Sequence, residues 1–142
     1  MIRLTKIFRF EMAHALSQYN GPCKNIHGHT YTLHVTIGTN ETVEDYIPSP
    51  GILVDFKMIK KIVQENIIQV LDHSLLLSRE YTEQNPACLA LHNLIIFDAE
   101  PSAENLLLYI RKQLIEFLPA GVDLKKLVLF ETGDSYAEWE EG

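Results

Sequence analysis

The stretch C-K-N-I-H-G-H-T-Y-T-L-H-V-T-I (Cys23–Ile37) decides how the chain folds. From Tyr31 onward every odd position is apolar: Tyr31, Leu33, Val35 and Ile37. The even positions are Thr30, Thr32, His34 and Thr36. A period of two predicts a half-buried strand from about His29 to Ile37. His27 and His29 share the parity of the apolar set, and His34 falls on the polar face. Two histidines at i and i+2 point to the same side of a strand, so both imidazoles can reach one ion. Gly28 between them removes bulk and lets the backbone bend.

Upstream, residues 2–14 alternate in the same way. Ile2, Leu4, Phe8, Phe10 and Met12 are apolar, whereas Arg3, Thr5, Arg9 and Glu11 are polar. This predicts a second strand, and His14 carries the parity of its apolar side. Residues 18–26 join the two strands with turn chemistry, Asn20-Gly21-Pro22. Downstream, residues 38–51 read as a long connection and Ile52–Phe56 as a short strand. Asp55 is an N-cap for a helix with apolar positions Ile59, Ile62, Val63, Ile67, Val70 and Leu71. Residues 78–100 show no clear period apart from a strand-like Asn93–Asp98. Ser102 caps a second helix, whose stripe is Leu106, Leu107, Ile110, Leu114, Phe117 and Leu118 and which Pro119 and Gly121 stop. Leu127–Phe130 and Tyr136–Trp139 read as further strands. Strands and helices that do not alternate regularly predict an α+β domain with an antiparallel sheet, spanning residues 1–142.

The bulk numbers narrow the function. A chain of 142 residues fits one domain with a core of its own. Its formal net charge of -7 argues against nucleic acid or an anionic membrane as partner. Cys23 and Cys88 are too few for a disulfide scaffold, and no apolar run reaches membrane-spanning or signal-peptide length. The expected compartment is the cytoplasm.

Three neutral imidazoles, His14, His27 and His29, with one open position make a catalytic zinc site. A closed structural site with Cys23 as fourth ligand is the competing arrangement. Off the metal, Cys23 is a candidate base or nucleophile, because the neighbouring Lys24 cation enriches the thiolate. In Asp72-His73 a carboxylate stands beside an imidazole, which suits proton transfer, although a solvated helix end has the same pattern. Glu131 ends an apolar strand, where a carboxylate can accept paired N–H donors of a planar heterocycle.

These residues resemble a family. Phe10-Glu11-Met12-Ala13-His14 is similar to its F-x-A-A-H segment, and Cys23-x-x-x-His27-Gly28-His29 to its C-x3-H-G-H segment. Val54-Asp55-Phe56, Leu71-Asp72-His73-x-x-Leu76, Pro101-Ser102-Ala103-Glu104-Asn105 and Phe130-Glu131-Thr132 resemble its remaining motifs, in the right order along the whole chain. The family is that of the 6-pyruvoyl-tetrahydropterin and 6-carboxy-tetrahydropterin synthases. The resemblance implies the tunnelling fold: an antiparallel sheet with two helices on one face, closed by oligomerisation into a barrel. It implies a homohexamer, a dimer of trimers, with active sites between subunits. It further implies Zn2+ on His14, His27 and His29, proton transfer by Cys23, Asp72 and His73, and a pterin triphosphate substrate anchored by Glu131, with Thr132 and Ser102 nearby. The three-residue gap after Cys23 resembles the bacterial 6-carboxy-tetrahydropterin synthases of queuosine biosynthesis. The alternatives are 6-pyruvoyl-tetrahydropterin synthase activity and a non-catalytic pterin-binding zinc protein. The chain departs from the pattern at Met12, at Ser102-Ala103 and in a longer 78–100 segment. Lys24, Lys57, Lys60 and Lys61 are its sparse candidates for binding a triphosphate.

Overall fold

The computed structural model describes residues 1–142. The chain runs β1 (Arg3–His14), β2 (His27–Gly38), α1 (Phe56–Val63), α2 (Gln69–Leu71), β3 (Ser74–Ser78), α3 (Arg79–Gln84), β4 (Leu94–Phe97), α4 (Ala103–Phe117), β5 (Asp123–Thr132) and β6 (Ser135–Glu140). All strands join one sheet in the order β4-β3-β1-β2-β5-β6. The alternation read in β1 and β2 is seen directly: Phe8, Phe10, Met12, Tyr31, Leu33, Val35 and Ile37 are all buried on one face. Phe10 and Tyr31 pair across the strands with rings stacked 5.1 Å apart. Such a pair contributes about 1 kcal/mol beyond the area it buries.

The sheet is antiparallel through β1, β2, β5 and β6, as expected, but β3 and β4 extend it in parallel. The two long helical segments cover the face that buries Phe10 and Tyr31. The short α3 does not join them. Leu75 and Leu77 point away from Leu76 and pack with Ala15 and Tyr81 in a second, smaller core. The sheet is therefore covered locally on its other face as well.

Asp55 caps α1 by accepting the Lys57 N–H at 2.8 Å. The helix then takes a π turn over Gln64–Ile68. The buried side chains Ile59, Val63, Ile67 and Leu71 recur every four residues, slower than the 3.6-residue α period. The wider π turn takes up that drift and keeps the stripe on the sheet. Val70 loses its expected place in the core and is 43% exposed, while Ile68 is buried. Phe117, in the last turn of α4, is likewise exposed rather than buried. Residues 52–55 form no strand. They pack beside Ile2 and Leu4 at the start of β1 without joining its ladder, and β3 borders β1 only at Met12–His14.

Candidate metal centre

Strand register assembles the centre. β1 and β2 pair so that His14 lies opposite His27 and Met12 opposite His29. Both histidine-bearing ends reach the same end of the sheet, and β5 brings Glu131 alongside β2. One ligand atom from each of His14, His27, His29 and Glu131 lies within 4.8 Å of all the others. Cys23 is not in this group.

Hydrogen bonds fix the ring nitrogens. His14 Nδ1 donates to the Pro101 carbonyl at 2.6 Å, and His27 Nδ1 donates to the Asn25 carbonyl at 2.7 Å. A carbonyl only accepts, so each Nδ1 carries a proton and each neutral ring leaves Nε2 with a lone pair. These two Nε2 atoms face each other at 3.1 Å. Two acceptors at that separation repel unless they share a proton or a metal cation. His29 Nε2 is buried without a hydrogen bond; Glu131 Oε1 lies 2.9 Å away but off the ring N–H direction. Glu131 Oε1 is also 3.3 Å from His14 Nε2. Burial holds the His14 imidazole below its ordinary range, despite the Pro101 bond and the Glu131 charge that oppose this. The neutral, metal-binding form is thus the favoured one. Three imidazole nitrogens and a carboxylate, each ring oriented by an outer partner or orphaned toward the centre, fit a metal ion.

Tyr31 and Pro101 complete the support. The Tyr31 hydroxyl is 3.4 Å from His14 Nδ1, and burial, then the Glu131 charge, push it well above its ordinary value. Ser102 uses its hydroxyl to cap α4, accepting from Asn105 N–H at 3.2 Å, and so steadies the neighbouring Pro101 carbonyl. Thr132 does not turn toward the centre: its hydroxyl donates to Asp134 in the β5–β6 turn at 2.9 Å.

Asp72 and His73 pair despite being adjacent, Asp72 Oδ2 lying 3.0 Å from His73 Nδ1. This needs an unusual backbone: His73 has φ 61°, in the left-handed region. Glu11 holds it there from β1. Its carbonyl accepts His73 N–H at 2.6 Å, and its N–H donates to Asp72 Oδ1 at 2.8 Å. Keeping a non-glycine residue in that region costs about 1–2 kcal/mol, which the two Glu11 bonds help to offset. His73 shares a cleft of about 360 Å³ with Glu11, Gly28, His29, Thr30 and Asn93. Gly28 earns its place there by leaving the cleft open. A Cβ at that position would meet only Met12 O, at 3.6 Å. Cys23 does not line this cleft; it sits half-exposed in the short turn Pro22–Lys24.

The Asp72 carboxyl is held below its ordinary value, first by the Glu11 N–H and then by His73. A depressed folded value gives stability that is complete above the unfolded carboxylate value of about 3.9 and is lost as pH falls through the folded one. Asp72→Asn should therefore destabilise the protein at pH 7, and its difference from the parent should shrink toward pH 2. Urea unfolding across that range measures it.

Glu11, Tyr31 and the Pro101 and Asn25 carbonyls are parts of the centre that sequence reasoning missed. Glu11 was visible only as a polar strand position, and backbone acceptors leave no residue-type signal.

A curled mixed sheet backed by helices, with a histidine–carboxylate group able to hold a metal at one end, places the chain in the α+β class. Comparison narrows this. The family model for 6-pyruvoyl tetrahydropterin synthase matches residues 3–142. A 6-carboxy-5,6,7,8-tetrahydropterin synthase of Rickettsia conorii is 27% identical, over 97% of this chain and 99% of the relative. The synthase of the same name from Haemophilus influenzae is 27% identical, over 99% of this chain and 100% of the relative. The solved 6-pyruvoyl tetrahydropterin synthase of Caenorhabditis elegans superposes with a TM-score of 0.72 at 19% identity, covering 99% of this chain and 96% of that one, which shows a shared fold. The chain belongs to the 6-pyruvoyl tetrahydropterin synthase family, a family of lyases. No helix is long and apolar enough to cross a membrane.

Proposed function

We propose that the protein is a zinc-dependent 6-carboxy-tetrahydropterin synthase. It would convert 7,8-dihydroneopterin triphosphate and water to 6-carboxy-5,6,7,8-tetrahydropterin, triphosphate and acetaldehyde. The observation that carries the reading is the pair of Nε2 lone pairs 3.1 Å apart on His14 and His27, beside the orphaned His29 Nε2. That arrangement calls for a divalent ion, and an all-nitrogen protein set with one neighbouring carboxylate suits zinc. The three-residue gap between Cys23 and His27, and the relatives named for this activity, support the carboxy product.

His14, His27 and His29 hold the ion in this reading. When bound, zinc supplies Lewis acidity to the hydroxyls of the substrate side chain. Glu131 stands at the edge of the centre, where its carboxylate accepts the paired N–H donors of the pterin ring. His73 carries its Nδ1 proton toward Asp72, which leaves Nε2 free to take or give a proton at the cleft. Cys23 removes a proton from the other side of the substrate. Within one chain Cys23 does not line the His73 cleft, and in the homohexamer that the family resemblance implies, sites between subunits would bring the two together. Ser102 acts through the Pro101 carbonyl in this scheme, and Thr132 through the β5–β6 turn. The protein works in the cytoplasm, in queuosine biosynthesis.

One observation favours a second reading. Glu131 Oε1 lies 2.9 Å from His29 Nε2 and 3.3 Å from His14 Nε2, so it can act as a fourth ligand and close the site. The protein would then bind metal without catalysis. Incubating the zinc-loaded protein with 7,8-dihydroneopterin triphosphate decides. The expected products are 6-carboxy-tetrahydropterin and acetaldehyde, identified by mass spectrometry. A 6-pyruvoyl product would select the other synthase activity, and no turnover with metal bound would select the closed site.

A further inference from the structure

We infer that the segment from α3 to α4, through Tyr81, Glu80 and Glu100, is a brace that fixes the loop carrying Cys23. The inference rests on the proposed catalytic role of Cys23 and adds the residues that position it. The loop between β1 and β2 has no ladder of its own. Its internal ties are short-range: Leu16 N–H donates to Cys23 O at 2.8 Å, and Lys24 and Asn25 N–H groups donate back to Gly21 and Pro22. Holding such a loop in one conformation costs backbone entropy, so its position must come from outside partners.

Its long-range hydrogen-bond partners come from residues 80–100. The Tyr81 hydroxyl donates to the Lys24 carbonyl at 3.2 Å, one residue from Cys23. Glu80 accepts the Gln18 side-chain amide at 2.7 Å. Glu100 accepts the Ser17 N–H at 3.1 Å and, in a shorter contact, the Ser17 hydroxyl. At the loop's start Ala15 is fully buried against Leu75, Leu77 and Tyr81. The loop is thus tied at its beginning, at its middle and beside the thiol. Asn25, which follows Lys24, carries the carbonyl that orients His27. The brace therefore sets the thiol and one metal-ligating imidazole together. Tyr81 is a positioning residue, with no contact to the metal group.

Tyr81→Phe removes only the hydroxyl and keeps the ring that packs on Ala15. Two readings test it: steady-state kinetics with 7,8-dihydroneopterin triphosphate, and the rate of Cys23 alkylation by iodoacetamide from pH 6 to 9, followed at that residue by mass spectrometry. Alkylation of Cys23 should accelerate by about two- to tenfold, the range that losing one neutral hydrogen bond allows, and kcat should fall by a similar factor with KM unchanged. Glu80→Ala should shift both readings the same way. Glu83→Gln, exposed on the same helix, should shift neither. An alkylation rate unchanged in Tyr81→Phe overturns the brace, whatever happens to kcat. If the parent itself shows no turnover, the reaction reading has failed, and the alkylation rates still decide whether the brace exists.

Discussion

Replacement of His27 by alanine should strip the protein of its metal and lower turnover by at least about 10³-fold, the scale on which a transition-state electrostatic contact acts. His27 is the informative ligand to remove. His14 is buried and its loss leaves a cavity under β1, so a His14 variant confounds metal loss with unfolding. His27 is only half-buried, at the start of β2, and its one fixed partner is the Asn25 carbonyl. The fold should survive, as circular dichroism would show. Affinity should drop by more than the 10–100-fold, about, that losing an outer-shell partner costs, because a ligand itself is gone. Elemental analysis after gel filtration reads the loss. The variant also relieves the close approach of two Nε2 lone pairs, so its metal-free form should melt no lower than the metal-free parent.

Cys23→Ala should have the second large effect, with the opposite signature. Turnover should fall by about 10²–10⁴-fold, the usual contribution of a positioned proton-transfer group. Metal content should stay at the parent's level, because Cys23 lies outside the group of ligand atoms. The two variants together separate binding of the ion from the proton transfers. Loss of metal in Cys23→Ala would instead make the thiol a ligand.

The difference between what could and could not be read from the sequence has physical causes. β1 and β2 were legible because one face of each is buried and the other wet, which writes a period of two into the residues. That same period placed His14, His27 and His29 on one face, and the register then set His14 against His27. Asp55 and Ser102 were legible as caps because each side chain closes a backbone N–H two or three residues on. β3 was not legible. All five of its residues are buried, so the three leucines Leu75–Leu77 run consecutively between two serines with no alternation. α3 is six residues long with one buried side chain, too short to show a stripe. The expected strand at Ile52–Phe56 gives way to an irregular approach to α1, which takes Phe56 as its first residue, and the exposed Val70 has a tertiary origin in the π turn. Pairing of Asp72 with His73 depends on a left-handed backbone that Glu11 imposes from another strand. The place of Glu131 against the histidines follows from β2–β5 pairing, which no local pattern carries.

The central claim is an open metal centre built on three imidazoles, with the thiol held off the ion. X-ray absorption at the metal edge of the purified, zinc-loaded protein tests it most directly. The account predicts a first shell of nitrogen and oxygen only, at about 2.0–2.2 Å, with the scattering pattern of three imidazoles. A sulfur shell at about 2.3 Å would put Cys23 on the metal and contradict it.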